Sequence, residues 1–398
     1  MTPSLLILRF GELWLKGSNR KDFVRALARR LRTGLRAVAS EAELVVRHDR
    51  MEIRLGEADL APALALARRT PGLARVVCAV PVARDLEAMK ALAPQMVAAA
   101  RQKMKVSSGL ETPSFRVASR RSDKSFELRS PDLNRALAEA VLSQHELPVD
   151  LRRAELTLGC EVAPHGCLMW TDDYDGCGGL PVGSAGKTML LLSGGIDSPV
   201  AGHLAQRRGC ELEAIYFHSP PFVPEETRDK VKELGQILAA SQGSLLLHSV
   251  HFTAIQKAIK AHCEAKHTVL LYRRFMYRIA DQLARKRRCL ALVTGENLGQ
   301  VASQTIENLN LVDGLTKTIV FRPLLTYDKR HVMDAARELG TYEISIRPFD
   351  DCCTLFVPKN PTTRGRLHII EAQESRLDVD ALVEEAIEKT TRFELAPA

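Results

Sequence analysis

With 398 residues, 45% hydrophobic and 26% charged, the chain can build two or three domains, each with its own core. No apolar run nears the roughly 18–20 residues of a membrane span, and MTPSLLILRFGE meets charge too early for a secretory leader, so a cytoplasmic protein without membrane association is expected. The net charge of +8 is uneven: residues 1–166 hold 28 Lys and Arg against 19 Asp and Glu, and the remainder holds 28 against 29. A basic first part beside a neutral second part suggests a polyanion-binding module joined to a different machine. The nine cysteines are odd in number for a secreted disulfide framework and form no C-x-x-C pair, which leaves Cys352-Cys353 as the one unusual placement.

SLLILRF reads as an opening strand, followed by the turn-rich GELWLKGSNR. Asn19 is placed to cap a helix carrying Leu27, Leu31 and Leu35 on one face. ELVVRHDRMEIRL alternates like a strand pair, and a helix over Ala61–Arg69 completes the outline of a ferredoxin-like α+β unit, residues 1–60. A second α+β unit, 61–166, follows: strand ARVVCAVPVA, a helix from LEAMKALAPQ, a strand with Phe115 and Val117, then a helix with Ser130 as cap and Pro131 at its first position. Strands AELTLGCEV and GCLMW close it, and the glycine-rich DGCGGLPVGSAG (Asp175–Gly186) reads as a hinge. Over 167–398, strands MLLLS, LEAIYFH, SLLLHSVHF and CLALVTG alternate with helices, which implies an α/β domain with a doubly wound parallel sheet. The stretch from Arg366 to Ala398 reads as an acidic helix and a frayed tail.

The chemistry concentrates at LLLSGGIDSP. Leu191 and Leu192 end a buried strand, Gly194 and Gly195 permit a turn whose N–H groups face an anion, and a helix begins near Ser198-Pro199. Ser193 and Ser198 offer hydroxyls; Asp197 suits Mg²⁺ rather than bare phosphate. The upstream GSAGKT is a decoy: a P-loop needs glycine where Pro181 stands, and GKT precedes its strand instead of following it.

SGGIDSP is similar to the PP-loop of ATP pyrophosphatases. Together with GELWLKGSNR, YFHSPPF, TGENLGQVASQT, RPLLTYDK and DDCCTLF, it makes the chain resemble the ThiI-type tRNA 4-thiouridine synthetases. The resemblance implies an N-terminal ferredoxin-like domain, a THUMP RNA-binding domain and an adenylating PP-loop domain. It implies ATP contacts at Leu191, Leu192, Tyr216, Phe217, Arg273, Gly295 and Gln304, and an activating role for Lys329. Lys16, Arg20, Lys21, Arg120, Arg121 and Lys124 are the candidates for tRNA phosphate contacts. Cys352 or Cys353 would carry a persulfide while the other resolves it; counting back to Lys329 favours Cys352, and spacing to Pro361 favours Cys353. His218 is expected to be structural, and His248 and His251 lack metal spacing, so no zinc is expected. The C-terminal rhodanese domain found in many members is not seen, so sulfur is expected from a cysteine desulfurase persulfide, and a thiamine role is in doubt; the family suggests a homodimer. Alternatives are another PP-loop tRNA enzyme of the 2-thiolase type, or a non-catalytic persulfide carrier.

Overall fold

A computed structural model of the chain describes residues 3–56, 60–164, 166–348, 358 and 360–397. The chain forms two compact units, meeting at Gly179/Leu180.

The first unit is built on one seven-stranded sheet in the order β2-β3-β1-β4-β7-β6-β5. Its elements are β1 (Leu5–Phe10), α1 (Arg20–Val38), β2 (Glu43–Val46), β3 (Arg50–Arg54), α2 (Leu60–Arg69), β4 (Leu73–Val82), α3 (Leu86–Ser108), β5 (Phe115–Arg121), α4 (Ser130–Leu142), β6 (Leu156–Ala163) and β7 (Gly166–Asp175). Tyr174 on β7 receives Arg68 of α2 over its ring at 5.0 Å and Lys103 of α3 on its hydroxyl at 2.8 Å, so those helices share one face. On the other face, Leu5, Ile7, Val77, Ala79 and Trp170 form a small apolar patch. Residue 159 must be glycine there: a Cβ would stand 2.1 Å from the Trp170 ring. The expected junction at 166/167 falls on the first residue of β7, which pairs with β6 and β4 and therefore belongs to this unit. The sheet also runs unbroken past the expected boundary at 60/61, because β1 pairs with both β3 and β4.

Two expected caps differ. Asn19 occupies the cap position of α1 without a side-chain hydrogen bond. Ser130 lies inside α4, whose cap is Arg129, although Pro131 sits in the first turn as expected. GELWLKGSNR, expected as turns, winds into 3-10 turns over Glu12–Asn19 that are broken by a kink at Gly17, whose φ is 51°.

The second unit contains β8 (Lys187–Leu191), α5 (Asp197–Arg207), β9 (Glu211–His218), α6 (Glu225–Ala239), β10 (Leu245–His251), α7 (Thr253–His262), α8 (Thr268–Lys286), β11 (Ala291–Val293), α9 (Ile306–Asp313), β12 (Ile319–Phe321), α10 (Lys329–Leu339), α11 (Tyr342–Ser345), α12 (Leu367–Glu374), α13 (Val379–Glu388) and β13 (Thr391–Leu395). Its sheet runs β12-β11-β8-β9-β10-β13, parallel except for β13. Alternating strand residues feed two cores: Met189, Ile215 and Phe217 pack with α7, α8, α12 and α13, whereas Leu190, Ala214 and Tyr216 pack with α5, α6 and α10. The doubly wound expectation holds. The expected frayed tail does not: β13 pairs antiparallel with β10 from Leu245↔Leu395 to Ser249↔Thr391, covering that edge of the sheet. Glu374, at the end of α12, is buried against Arg274 and Arg278 of α8, at 2.6–2.8 Å. Among the described residues, no helix is long and apolar enough to cross a membrane.

Candidate functional site

Strand order reverses at β8: the chain moves outward through β9 and β10, then returns to place β11 on the other side of β8. Open α/β sheets leave their ligand crevice at such a switch point, beyond the carboxyl ends of the strands. A cavity of about 260 Å³ occupies this position.

One wall is the turn between β8 and α5. The apolar run Met189–Leu191 makes the strand, and the turn folds on its own hydroxyls. Ser193 N–H donates to Ser198 Oγ at 2.9 Å, the two hydroxyl oxygens lie 3.1 Å apart, and Gly195 N–H donates to Ser193 Oγ at 3.3 Å. Two of the turn's N–H groups thus brace the turn itself. Asp197 opens α5, and both its carboxylate oxygens accept from Lys329 Nζ, at 2.7 and 2.9 Å. Gln300 Nε2 adds a second donor and a third hydrogen bond at 3.2 Å.

The facing wall comes from β11 and α8. Beyond β11, Gly295 lies flat against α5: a Cβ there would meet Ser198 N at 2.6 Å and the Asp197 carbonyl carbon at 2.8 Å. The backbone that Gly295 approaches here is the first turn of α5, and Gly295 also lines the cavity. Glu296 follows, 5% exposed, and its carboxylate accepts from Tyr277 (2.7 Å to each oxygen), Thr294 Oγ1 (3.1 Å) and Arg322 Nε (2.5 Å), and pairs with Arg273. Arg322 also pairs with Asp313, and Arg273 donates to Ser303 Oγ at 3.2 Å. Burial raises the pKa of Tyr277 against the opposing pull of Arg273 and Arg322, which keeps its hydroxyl a donor. With so many donors, Glu296 holds cations in place and is poorly disposed to act as a base. Val269, Tyr272 and Met276 of α8 supply an apolar side, suited to a flat ring.

Leu191, Ser193, Asp197, Ser198, Arg273, Gly295 and Gln304 therefore line one cavity. Lys329 joins them through Asp197, and Gln304 Oε1 accepts from Asn297 N–H at 3.3 Å, folding the 297–304 loop on itself. Leu192, Tyr216 and Phe217 are buried in the cores and do not line it, because strand alternation turns their side chains into the layers on either side of the sheet. Gly194 and Gly195 belong to the turn but are not among the lining residues. Cys352 and Cys353 lie outside the described residues. Sequence reasoning assigned no role to Glu296, Tyr277 or Arg322. Glu296 and Arg322 stand in the short TGEN and FRP segments, which carry no periodicity to mark them, and Tyr277 stands on the helical YRRFMYR stretch among its core neighbours.

In the first unit, Lys21, Arg120 and Lys124 are exposed, and Lys16 Nζ rests 5.2 Å above the Phe23 ring. Arg20 stacks 3.7 Å over the ring of Trp14. Arg121 differs from the others: its guanidinium donates to the Phe126 and Leu128 carbonyls at 2.9 and 2.8 Å, so it pins its own loop. His218 is buried beside Tyr216, and burial, then Arg228, pushes its pKa down. His248 is tied at 2.8 Å to Glu213. Burial pushes the Glu213 carboxyl up, but hydrogen bonds from His248, Arg287 and Lys187 outweigh it and hold the group far below the carboxylate range. Among the described residues, no group of three His, Cys, Asp or Glu could hold a metal ion.

A doubly wound parallel sheet with a Ser-Gly-Gly-Ile-Asp-Ser turn at its switch point defines a nucleotide-binding α/β protein of the PP-loop class. Residues 183–379 match the family model for the thiamine biosynthesis protein ThiI, residues 5–76 the ThiI ferredoxin-like domain, and residues 83–172 the THUMP domain. Relatives include the probable tRNA sulfurtransferases of Staphylococcus aureus (strain N315), 40% identical over 98% of this chain and 94% of that one. That of Listeria monocytogenes serotype 4a (strain HCC23) is 40% identical over 96% and 93%. The crystal structure of a 4-thiouridine synthetase–RNA complex with bound ATP superposes with a TM-score of 0.86 at 36% identity, covering 98% of this chain and 99% of that one. PH1313 from Pyrococcus horikoshii shares the fold, with a TM-score of 0.63 at 22% identity over 85% and 100%. The chain belongs to the ThiI family of tRNA sulfurtransferases. Ferredoxin-like and THUMP domains precede its α/β PP-loop domain.

Proposed function

We propose that the protein uses ATP to replace the C4 oxygen of a tRNA uridine, at position 8, with sulfur, releasing AMP and pyrophosphate. ATP-dependent sulfur transfer to tRNA uridine is the chemistry of its family. The observation that carries the finer reading is the Asp197–Lys329 pair at the mouth of the SGGIDS turn, beside the switch-point cavity.

Uridine O4 attacks the α-phosphate and pyrophosphate leaves from the Ser193–Ser198 turn. To reach that phosphate, Lys329 must give up two charge-assisted hydrogen bonds to Asp197, and its ammonium then offsets the charge that develops. Asp197 with the Ser193 and Ser198 hydroxyls forms an all-oxygen donor set of the kind Mg²⁺ takes, and these residues would hold it; the ion would supply neutralisation of phosphate oxygens. The terminal sulfur of a Cys352 persulfide, delivered from a cysteine desulfurase, adds at C4, and AMP departs with the original oxygen. The Cys353 thiol then attacks Cys352, breaking the S–S bond to the base. This frees 4-thiouridine and leaves a Cys352–Cys353 disulfide, which a dithiol reductant resets. The family suggests that a homodimer performs the cycle.

The test is nucleoside mass spectrometry of tRNA incubated with purified protein, Mg·ATP, a desulfurase and cysteine. The expected product is 4-thiouridine, lost with Cys352→Ser. Its absence with the wild-type chain would refute the reading, and 2-thiouridine would place the protein with the 2-thiolases.

A further inference from the structure

Helices α10 and α11 form a hairpin that grips the phosphate-loop turn at both of its ends. Gly340, at φ 83°, closes α10, and α11 starts two residues later. Arg337 of α10 lies over the Tyr342 ring of α11 at 4.4 Å. Between the helices, the buried Thr341 donates its N–H and its hydroxyl to the Ala336 carbonyl, at 2.9 and 3.3 Å. The first residue of this hairpin is Lys329, paired with Asp197. Its last is Ser345, whose Oγ donates to the Gly195 carbonyl at 3.3 Å.

The two grips differ in kind. Lys329 is half-exposed, and its bonds can pass to water or to phosphate. Ser345 is buried, and an ammonium braces it from behind: Lys230 of α6, 4% exposed, donates to the carbonyls of Ser345 and Arg347 at 3.2 and 3.3 Å. The end of a four-residue helix leaves such carbonyls without intrahelical partners. Taking an ammonium out of water is costly unless its hydrogen bonds are made, so α11 is held where those bonds form. The Gly195–Ile196 peptide is trans and planar, so turning its carbonyl to α11 sends the Ile196 N–H the opposite way. Ile196 caps α5, where N–H groups lack intrahelical partners and suit an anion. The N–H groups of Ser193 and Gly195 already bond within the turn.

We propose that Ser345, braced by Lys230, is a positioning residue for adenylation. It sets the orientation of the Gly195–Ile196 peptide and is the fixed point of the hairpin from which Lys329 crosses to the α-phosphate. The proposal rests on the adenylation reading above and adds to it a residue that does not line the cavity.

The test uses the full-length chain in excess over tRNA, with Mg·ATP and no sulfur donor, so that only the adenylation half of the reaction is read. Pyrophosphate release would be followed against ATP concentration in the wild type and in Ser345→Ala, Ser345→Thr and Glu233→Gln, each checked for its fold by circular dichroism. Ser345→Ala should lower the maximal rate about 5-fold, the equivalent of the ~1 kcal/mol of one net hydrogen bond, and leave the half-saturating ATP concentration within about twofold. Ser345→Thr keeps the hydroxyl and should recover most of the rate. Glu233→Gln removes only the exposed pair with Arg347 and should stay within about twofold of wild type. An unchanged maximal rate in Ser345→Ala, a loss confined to ATP affinity, or a threonine variant as slow as the alanine one would overturn the proposal. So would an equal loss in Glu233→Gln, which would make the general docking of α11 the cause and not the bond to Gly195. Failure of the wild-type chain to release pyrophosphate would bring down the adenylation reading, and the proposal with it.

Discussion

Glu296→Gln is the most informative single change at the nucleotide cavity. The side chains of Glu296, Arg273 and Arg322 are only 6%, 12% and 11% exposed, so removing one negative charge leaves two guanidiniums with little water to compensate them. Breaking a buried pair in this way costs about 3–5 kcal/mol. Arg322 keeps Asp313, and Arg273 keeps its hydrogen bonds to Ser303, which moves the expectation to the low end, about 3 kcal/mol. A unit of this size loses roughly 2–4 °C of Tm per kcal/mol, so differential scanning calorimetry should show a drop of about 6–12 °C. Arg273 lines the cavity, so ATP affinity measured by titration calorimetry should fall with it. A Tm within ~2 °C of wild type and unchanged ATP affinity would show that the carboxylate does not hold the two arginines in place.

Gly295→Ala should keep the fold by circular dichroism yet slow ATP-dependent pyrophosphate release by about 100-fold, since its Cβ would push the Asp197–Ser198 backbone off its position; wild-type turnover would contradict the packing. Burial and Arg207 push the His203 pKa down from 6.5 to about 4, so the unfolded chain takes that proton first and stability is lost as pH falls from 6.5 towards 4. Burial opposes the charge of Glu374, but Arg274 and Arg278 outweigh it and hold its pKa at about 2, so its share is full above 4.5 and is lost as pH falls towards 2. Urea midpoints should therefore be lower at pH 5 than at pH 7.5, with His203→Gln flattening that interval; identical midpoints in the wild type would count against the assignment. Burial pushes the thiols of Cys78, Cys160 and Cys289 up to about 12, so native protein at pH 7.5 should leave all three unalkylated by N-ethylmaleimide in mass mapping, and labelling of Cys160 would contradict the core packing.

What could be read from the sequence was local. The run Met189–Leu192, two glycines and Ser198-Pro199 encode strand, turn and helix within fifteen residues' reach of each other, and the switch point follows from alternation of strands and helices. Contacts set by distant partners could not be read this way. The stretch after Arg366 read as an acidic helix and a frayed tail, yet Glu374 is buried because two arginines about 100 residues earlier meet it, and TRFEL became a strand because β10 offered an edge. Arg121 resembled its neighbour Arg120 in every local respect; strand alternation turns one towards the 122–129 loop and leaves the other exposed. Tyr216 and Phe217 were read as nucleotide contacts through their main chain, and the same period of two sends their side chains into opposite cores.

The charges around the cavity narrow the choice of groups that can act. Among its described lining residues, the acidic and basic side chains are Asp197, Arg273 and Glu296, and the last two are paired. Arg273 would have to break a buried ion pair before meeting phosphate, which makes it a fixed wall of the site. Lys329 is different: it sits at the start of α10, 40% exposed, and is held to Asp197 by hydrogen bonds that water can replace. A half-exposed ammonium at the end of a flexible stem can change partners at small cost, whereas a buried guanidinium cannot. On the proposed reading the arginine would position and the lysine would move, and the carboxylate releasing the lysine would be the one at the turn where pyrophosphate leaves.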